Sequence, residues 1–147
     1  MSTNCVVSQT FPDGAPVSLD FAQSSNMTIL ASGHLDGGVR LYSLATKKSK
    51  KQLVPQWNRF HKQSVRRIRF GSTDGAQLYT ITRNKALTLW DTHTGHKLRC
   101  IRTAHQHRPY AMCCLTAGAT KGQTLATGDE HGCIHTWDMR ADKPLVS

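Results

Sequence analysis

Apolar positions along the chain come in short runs, broken every few residues by Gly, Pro, Asn or Asp-Gly, and no stretch repeats them at helical spacing. Three segments share one pattern: Leu30–Ser43, Tyr79–Asp91 and Leu125–Asp138. Each holds a short apolar strand, a polar or Gly-containing tight turn, and a second strand ending in an aromatic residue, namely Tyr42, Trp90 and Trp137. These aromatics lie 48 and 47 positions apart, which marks an internal repeat.

The rest of each repeat is also strand-like. Upstream lie the alternating stretches Pro16–Phe21, Val65–Phe70 and Ala111–Leu115; downstream lie Gln52–Trp57 and Lys97–Arg102. The turn Thr92–Gly95 sits where a hairpin between third and fourth strands requires one. A four-stranded unit repeated at a fixed period predicts an all-β propeller of radially packed sheets, or blades. The units run from 16 to 60, 61 to 103 and 104 to 147, the last stopping where its outer strand starts. Residues 1–15 form an amino-terminal segment in which Cys5-Val6-Val7 has the character of a strand that closes the final blade. Three blades do not close a ring, which takes about four to eight. The sequence therefore reads as the first part of a longer protein, with apolar blade faces and strand edges that associate in isolation.

The repeat length, the Trp-Asp endings at Trp90-Asp91 and Trp137-Asp138, and the stretch LATGD at Leu125–Asp129 resemble the WD40 repeat family. His61-Lys62, the Arg66–Phe70 strand, Asp74-Gly75, Leu78–Thr82, Lys85-Ala86 and Trp137-Asp138-Met139-Arg140 extend the resemblance to the nucleolar WD40 proteins of ribosome production. It covers most of positions 16 to 145. What it implies is a ring of seven blades, each tied by a buried hydrogen-bond chain from a Trp through a Ser or Thr and a His to a turn Asp. Each residue type suits its place in such a chain, because indole donates, hydroxyl donates and accepts, imidazole bridges and carboxylate accepts. By that resemblance the second unit supplies Trp90, Thr80 and His61, with Asn84 in the Asp place. The third supplies Trp137, Thr127 and His105, with His131 there. The first has Ser32 and Asp36, but Tyr42 replaces Trp and no His precedes it.

Composition changes the picture in one respect. Lys and Arg outnumber Asp and Glu by 19 to 9, a formal charge of +10, which favours acidic partners, nucleic acid first. Five cysteines (Cys5, Cys100, Cys113, Cys114, Cys133) show no CxxC spacing and fit a reducing compartment better than a secreted disulfide framework. Neither a signal peptide nor a membrane-spanning apolar window is visible, so a soluble intracellular protein is expected.

Candidate chemistry is sparse. His131, Cys133 and His135 alternate along one strand near His105, His107, Cys113 and Cys114, yet no pair has structural-zinc spacing, so no metal or other cofactor is expected. There is no GxSxG elbow, Walker loop or HExxH helix, and Asp129-Glu130 reads as a solvated pair on a turn. No enzyme activity is expected. Lys47, Lys48, Lys50 and Lys51 crowd a loop, where they either contact phosphates, act as an import signal or keep the surface soluble. Arg66, Arg67 and Arg69 sit on an inner strand, where Arg69 can face an acidic ligand in the channel. Aromatics for stacking RNA are few: Trp57, Phe60 and Tyr110.

The sequence thus points to a non-catalytic scaffold, with two readings open. By resemblance, the first is a factor in ribosome biogenesis and ribosomal RNA processing. It binds proteins, with RNA contact left open, and resides in the nucleus and nucleolus, with the cytoplasm left open as well. The second is a substrate receptor of a cullin-4 ubiquitin ligase. There the WDxR box presents Asp138 and Arg140, a bidentate donor suited to a partner carboxylate, to the ligase adaptor. Neither reading calls for a membrane or a small-molecule substrate.

Overall fold

The computed structural model describes residues 8, 10, 14–24, 26–115 and 124–139, and the backbone of 144–146. The described residues form twelve strands and no helix. The first sheet holds β1 (Pro16–Ser24), β2 (Met27–His34), β3 (Gly38–Lys47) and β4 (Lys50–Phe60) in sequential antiparallel order. The second holds β5 (Val65–Phe70), β6 (Gln77–Thr82), β7 (Leu87–Asp91) and β8 (Lys97–Ile101). The third holds β9 (Pro109–Cys114), β10 (Thr124–Asp129), β11 (Ile134–Asp138) and the three-residue β12 (Pro144–Val146). Cys5-Val6-Val7 lies outside the described residues.

Alternation along each strand decides which neighbour a side chain meets. From the first blade, Ile29, Ala31, Val39 and Leu41 pack against Val65, Ile68, Phe70, Leu78 and Trp90 of the second. The opposite face of the second blade, through Tyr79, Leu87 and Leu89, packs against Met112, Leu125, Trp137 and Met139 of the third. Gly33 is a point of close approach, because a Cβ there would stand 2.5 Å from Val65 Cγ1. The inner strands are joined by side chains rather than by a ladder. Ser18 Oγ accepts from the Ile68 amide (3.0 Å) and Asp20 Oδ2 from the Phe70 amide (2.8 Å), which satisfies the free edge of β5.

Two features differ from the sequence expectation. The outer strand of the first blade runs over Lys50–Phe60 instead of Gln52–Trp57, and the four lysines are not in an irregular loop. They cap a long β3–β4 hairpin whose two-residue turn, Lys48-Ser49, has φ of 48° and 64°, with Lys47 opposite Lys50. Positive φ at both turn residues matches the right-handed twist of the flanking strands, so the ladder continues to the tip. In the second blade, by contrast, the Asp91 carboxylate accepts from the amides of His93 (2.8 Å) and Thr94 (3.3 Å), and Gly95 at φ 69° closes the turn after only five residues of β7.

Each end of this arc leaves a sheet face open. On the first blade Val17, Leu19 and Phe21 are 40, 55 and 61% exposed. On the third, Ile134 is 64% exposed beside Ala111 and Cys113, which face the same way. Apolar patches of this kind mark association surfaces. The purified 147-residue chain should therefore elute as an oligomer at micromolar concentration. A monodisperse monomer in light scattering contradicts this account of the faces.

Candidate functional site

The blade-tying chains can be traced atom by atom. In the second blade Trp90 Nε1 donates to Thr80 Oγ1 (2.9 Å), and Thr80 Oγ1 lies 2.8 Å from His61 Nε2. The Thr80 hydroxyl has one proton and two lone pairs, so it bridges the indole N–H and the imidazole. Burial, reinforced by the Lys97 charge, lowers the His61 pKa to about 4, so the imidazole stays neutral. Asn84 does not take the Asp place: its Oδ1 accepts the hydroxyl of Thr82, two residues back, and the side chain caps the β6–β7 turn.

In the third blade the chain has four members. Trp137 Nε1 donates to Thr127 Oγ1 (2.8 Å), Thr127 meets His105 Nε2 (2.6 Å), and His105 Nδ1 meets Asp129 Oδ2 (3.1 Å). The terminal acceptor is Asp129, not His131. Its other oxygen accepts from the amides of His131 and Cys133, both at 3.0 Å, and its side chain is 1% exposed, which replaces the solvated pair expected from sequence. Burial alone would raise the Asp129 pKa, but the donors from Cys133, His105 and His131 outweigh it and hold the carboxyl below its usual value. His105 is lowered, chiefly by burial.

The first blade is wired differently. Ser32 Oγ lies 2.8 Å from His34 Nε2, and Tyr42 shares a side-chain hydrogen bond with Ser32. The histidine thus comes from the same strand, two residues after the serine, and not from the preceding loop. Its Nδ1 reaches the Gly14 carbonyl (3.0 Å), and the Arg40 guanidinium lies beside the ring at 3.1 Å. Asp36 stands apart from this chain, accepting from the Gly38 amide (2.8 Å) and facing Arg40 at 3.9 Å. A phenol carries a donor as an indole does, so Tyr42 keeps a hydrogen-bonding place beside Ser32.

The basic groups occupy three places. Lys47, Lys48, Lys50 and Lys51 are exposed around the hairpin tip. Arg69 lies on inner strand β5 and donates to the Ile68 carbonyl (2.7 Å); Asp20 and Arg69 both influence Cys114, whose thiol burial pushes up to about 12. Arg66 stands 5.2 Å over the Tyr110 ring. The third place has no counterpart among the motifs of the sequence. Lys62, Lys97 and Arg102 join His61, Asn84 and Cys100 around a cleft of about 310 Å³ on the second blade. No single stretch carries it, because loop, turn and outer strand each contribute. Its charged groups suit an anionic ligand. Trp57 is not free for stacking RNA: it packs on Trp90 at 6.2 Å, and its Nε1 donates to the Thr92 carbonyl (2.7 Å). Phe60 remains 57% exposed. Asp138 ends β11, and Arg140 lies outside the described residues.

Sheets packed radially and tied by Trp–Thr–His chains define a segment of a WD40-type β-propeller. No protein-family model matches the sequence. The chain is similar to WD repeat-containing protein 55. It is 33% identical over 113 residues to the Danio rerio protein, 31% over 123 to that of Arabidopsis thaliana and 29% over 118 to that of Homo sapiens. These matches cover 76, 83 and 80% of the chain but 27, 32 and 29% of the relatives, so the chain spans under a third of their length. The fold is shared with the computationally designed, propeller-like Ika4 protein (TM-score 0.69, 19% identity, 98% of this chain and 78% of that one). It is also shared with the designed Ika8 protein (TM-score 0.65, 20% identity, 89% and 35%).

The chains can be tested by substitution and by pH. Trp90→Ala removes a ring that is 1% exposed and takes the indole donor from Thr80, so it should destabilise the protein by about 3–5 kcal/mol, read as a shift in the denaturant midpoint. An unshifted midpoint removes Trp90 from the core. For pH, His61 binds a proton below about 4 when folded but near 6.5 when unfolded, so between those values the unfolded state holds more protons. Stability is then full above 6.5 and falls with pH at up to about 1.4 kcal/mol per unit. His34 and His105, both lowered by burial, act in the same direction. Melting of His61→Gln across pH 4 to 6.5 should show a shallower slope than the wild type, and equal slopes would overturn the neutral, buried assignment.

Proposed function

We propose that this chain acts as a non-catalytic WD40 scaffold in ribosome biogenesis and ribosomal RNA processing. It would gather pre-ribosomal proteins in the nucleolus, with basic surfaces held against RNA or other acidic partners. The observation that carries this reading is the similarity to WD repeat-containing protein 55 over about four-fifths of the chain. The +10 charge and its concentration at the four-lysine hairpin tip support it, because such a tip projects cations into solvent where phosphates can be reached. The β3–β4 ladder continues to the tip, past the last β2 pairing at Leu44, so the lysines stand on a two-stranded ribbon beyond the sheet. The nuclear and nucleolar address belongs to the same proposal, as does the scaffold's freedom from catalysis.

The test is affinity purification of the tagged chain from its own cells, beside a variant with Lys47, Lys48, Lys50 and Lys51 changed to Gln. Pre-ribosomal proteins and ribosomal RNA should co-purify with the wild type. The variant should retain the proteins while RNA binding loses up to about one unit of salt slope per lysine engaged. Absence of pre-ribosomal proteins from the wild-type sample rejects the proposal. Recovery of a cullin-4 adaptor instead, lost in Arg140→Ala, would replace it with the ligase-receptor reading.

A further inference from the structure

Structural-zinc spacing concerns ligands near one another in sequence, whereas the fold brings together a set drawn from two separate segments. His107 lies on the segment before β9, and Glu130 and His131 on the β10–β11 turn. Their ligand atoms all fall within 4.8 Å of one another. The two imidazoles are stacked, with centroids 3.8 Å apart and planes at 22°.

Their meeting follows from the buried chain beneath them. His105 and Asp129 are bonded inside the blade, and His107 and His131 stand two residues beyond each. The Asp129 carboxylate fixes the turn through the His131 amide. The two segments are further locked by the Glu130 amide donating to the Arg108 carbonyl (3.0 Å) and the Arg108 amide donating to Glu130 Oε1 (3.2 Å). The backbone carrying all three ligands is therefore held on both sides, while the Glu130 and His131 side chains are exposed at the surface.

The geometry points to a divalent transition-metal site, zinc by chemical class, at His107, Glu130 and His131. Zinc takes imidazole nitrogen and carboxylate oxygen at about 2.0–2.2 Å in a tetrahedron, which places ligand atoms roughly 3.3 Å apart. The ligand atoms exceed that spacing by at most about 1.5 Å, which side-chain rotation closes once the His131 ring swings out of its stack on His107. Two nitrogens and one oxygen leave a fourth position for water or a partner's ligand. The charge balance of the chain narrows the class of ion. Net positive charge and the adjacent Arg108 oppose any cation held by electrostatics alone, so hard ions such as magnesium and calcium are disfavoured. Zinc, nickel and copper bond imidazole strongly enough to overcome that field.

Titration of zinc alone into the purified chain, read by competition with a chromophoric chelator, tests the site. One ion should bind per chain, with no comparable binding of magnesium or calcium. His107→Ala and His131→Ala should each weaken it at least tenfold, and Glu130→Gln severalfold. Because the two imidazoles lie outside the buried chain, metal-free melting of these variants should match the wild type, which separates lost binding from lost fold. Wild-type affinity equal to that of the His107→Ala/His131→Ala double variant overturns the proposal. So does loss of binding in Cys133→Ser with His107→Ala unaffected, since Cys133 Sγ and His135 Nε2 lie 3.5 Å apart and would then be the ligands.

Discussion

A sheet of four short strands has two faces and too little side-chain volume to bury either by itself, so each blade is stable only between neighbours. Every other feature of the chain accommodates that constraint. The second blade, flanked on both sides, buries large apolar side chains on both of its faces: Ile68, Leu78, Tyr79, Ile81 and Leu87 are at 0%. The first and third, flanked on one side among the described residues, carry the exposed Leu19, Phe21 and Ile134 on their outward faces. Gly33 lets the blades close to contact, and Ser18 and Asp20 let two inner strands lie side by side without pairing. Removing apolar surface from water stabilises the stack by roughly 25 cal/mol per square ångström, while the polar bridges fix its register.

The hydrogen-bond chains solve a second problem created by the same packing. A Trp at the end of the third strand fills the gap between blades but brings an indole N–H into a dry space, where an unpaired donor costs about 1–3 kcal/mol. Thr80 and Thr127 accept it, and each then needs an acceptor for its own proton, which an imidazole provides. In the third blade the sequence of obligations ends on a carboxylate held by two amides of its own turn. Partly satisfied chains are costlier than none, and in the first blade, where Tyr42 stands in the Trp place, His34 on the same strand partners Ser32.

Much of this architecture is legible in the sequence because period and strand alternation are local signals. The aromatics at Tyr42, Trp90 and Trp137 and the hydroxyls at Ser32, Thr80 and Thr127 sit at fixed offsets within each repeat, and the strands observed around them follow the expected order. The departures concern turns. Offset from the strand points to Asn84 and His131, but which turn residue accepts from the histidine depends on where the carboxylate or amide can reach. Asp129 reaches, while Asn84 bends back to Thr82. Charge suggests a solvated loop for the lysine run. Positive φ at Lys48 and Ser49, which sequence does not announce for these residue types, extends the ladder through it. The cleft of Lys62, Lys97 and Arg102 and the cluster of His107, Glu130 and His131 draw on two or three segments each, so no linear pattern marks them.

The division between frame and surface follows from the same physics. Strand residues are constrained from both faces and vary only within narrow limits of volume, as Gly33 illustrates, where an added Cβ would stand 2.5 Å from Val65 Cγ1. Turns are constrained at their anchoring atoms alone. Asp129 demonstrates how much can be hung on one such anchor: a single buried carboxylate ends the chain from Trp137 and simultaneously shapes the turn that carries Glu130 and His131. Surface chemistry placed there inherits the rigidity of the core without disturbing it. In a fold whose blades are otherwise interchangeable, individuality then accumulates at hairpin tips and inter-strand turns, and these are the positions where this chain concentrates its lysines and its paired histidines.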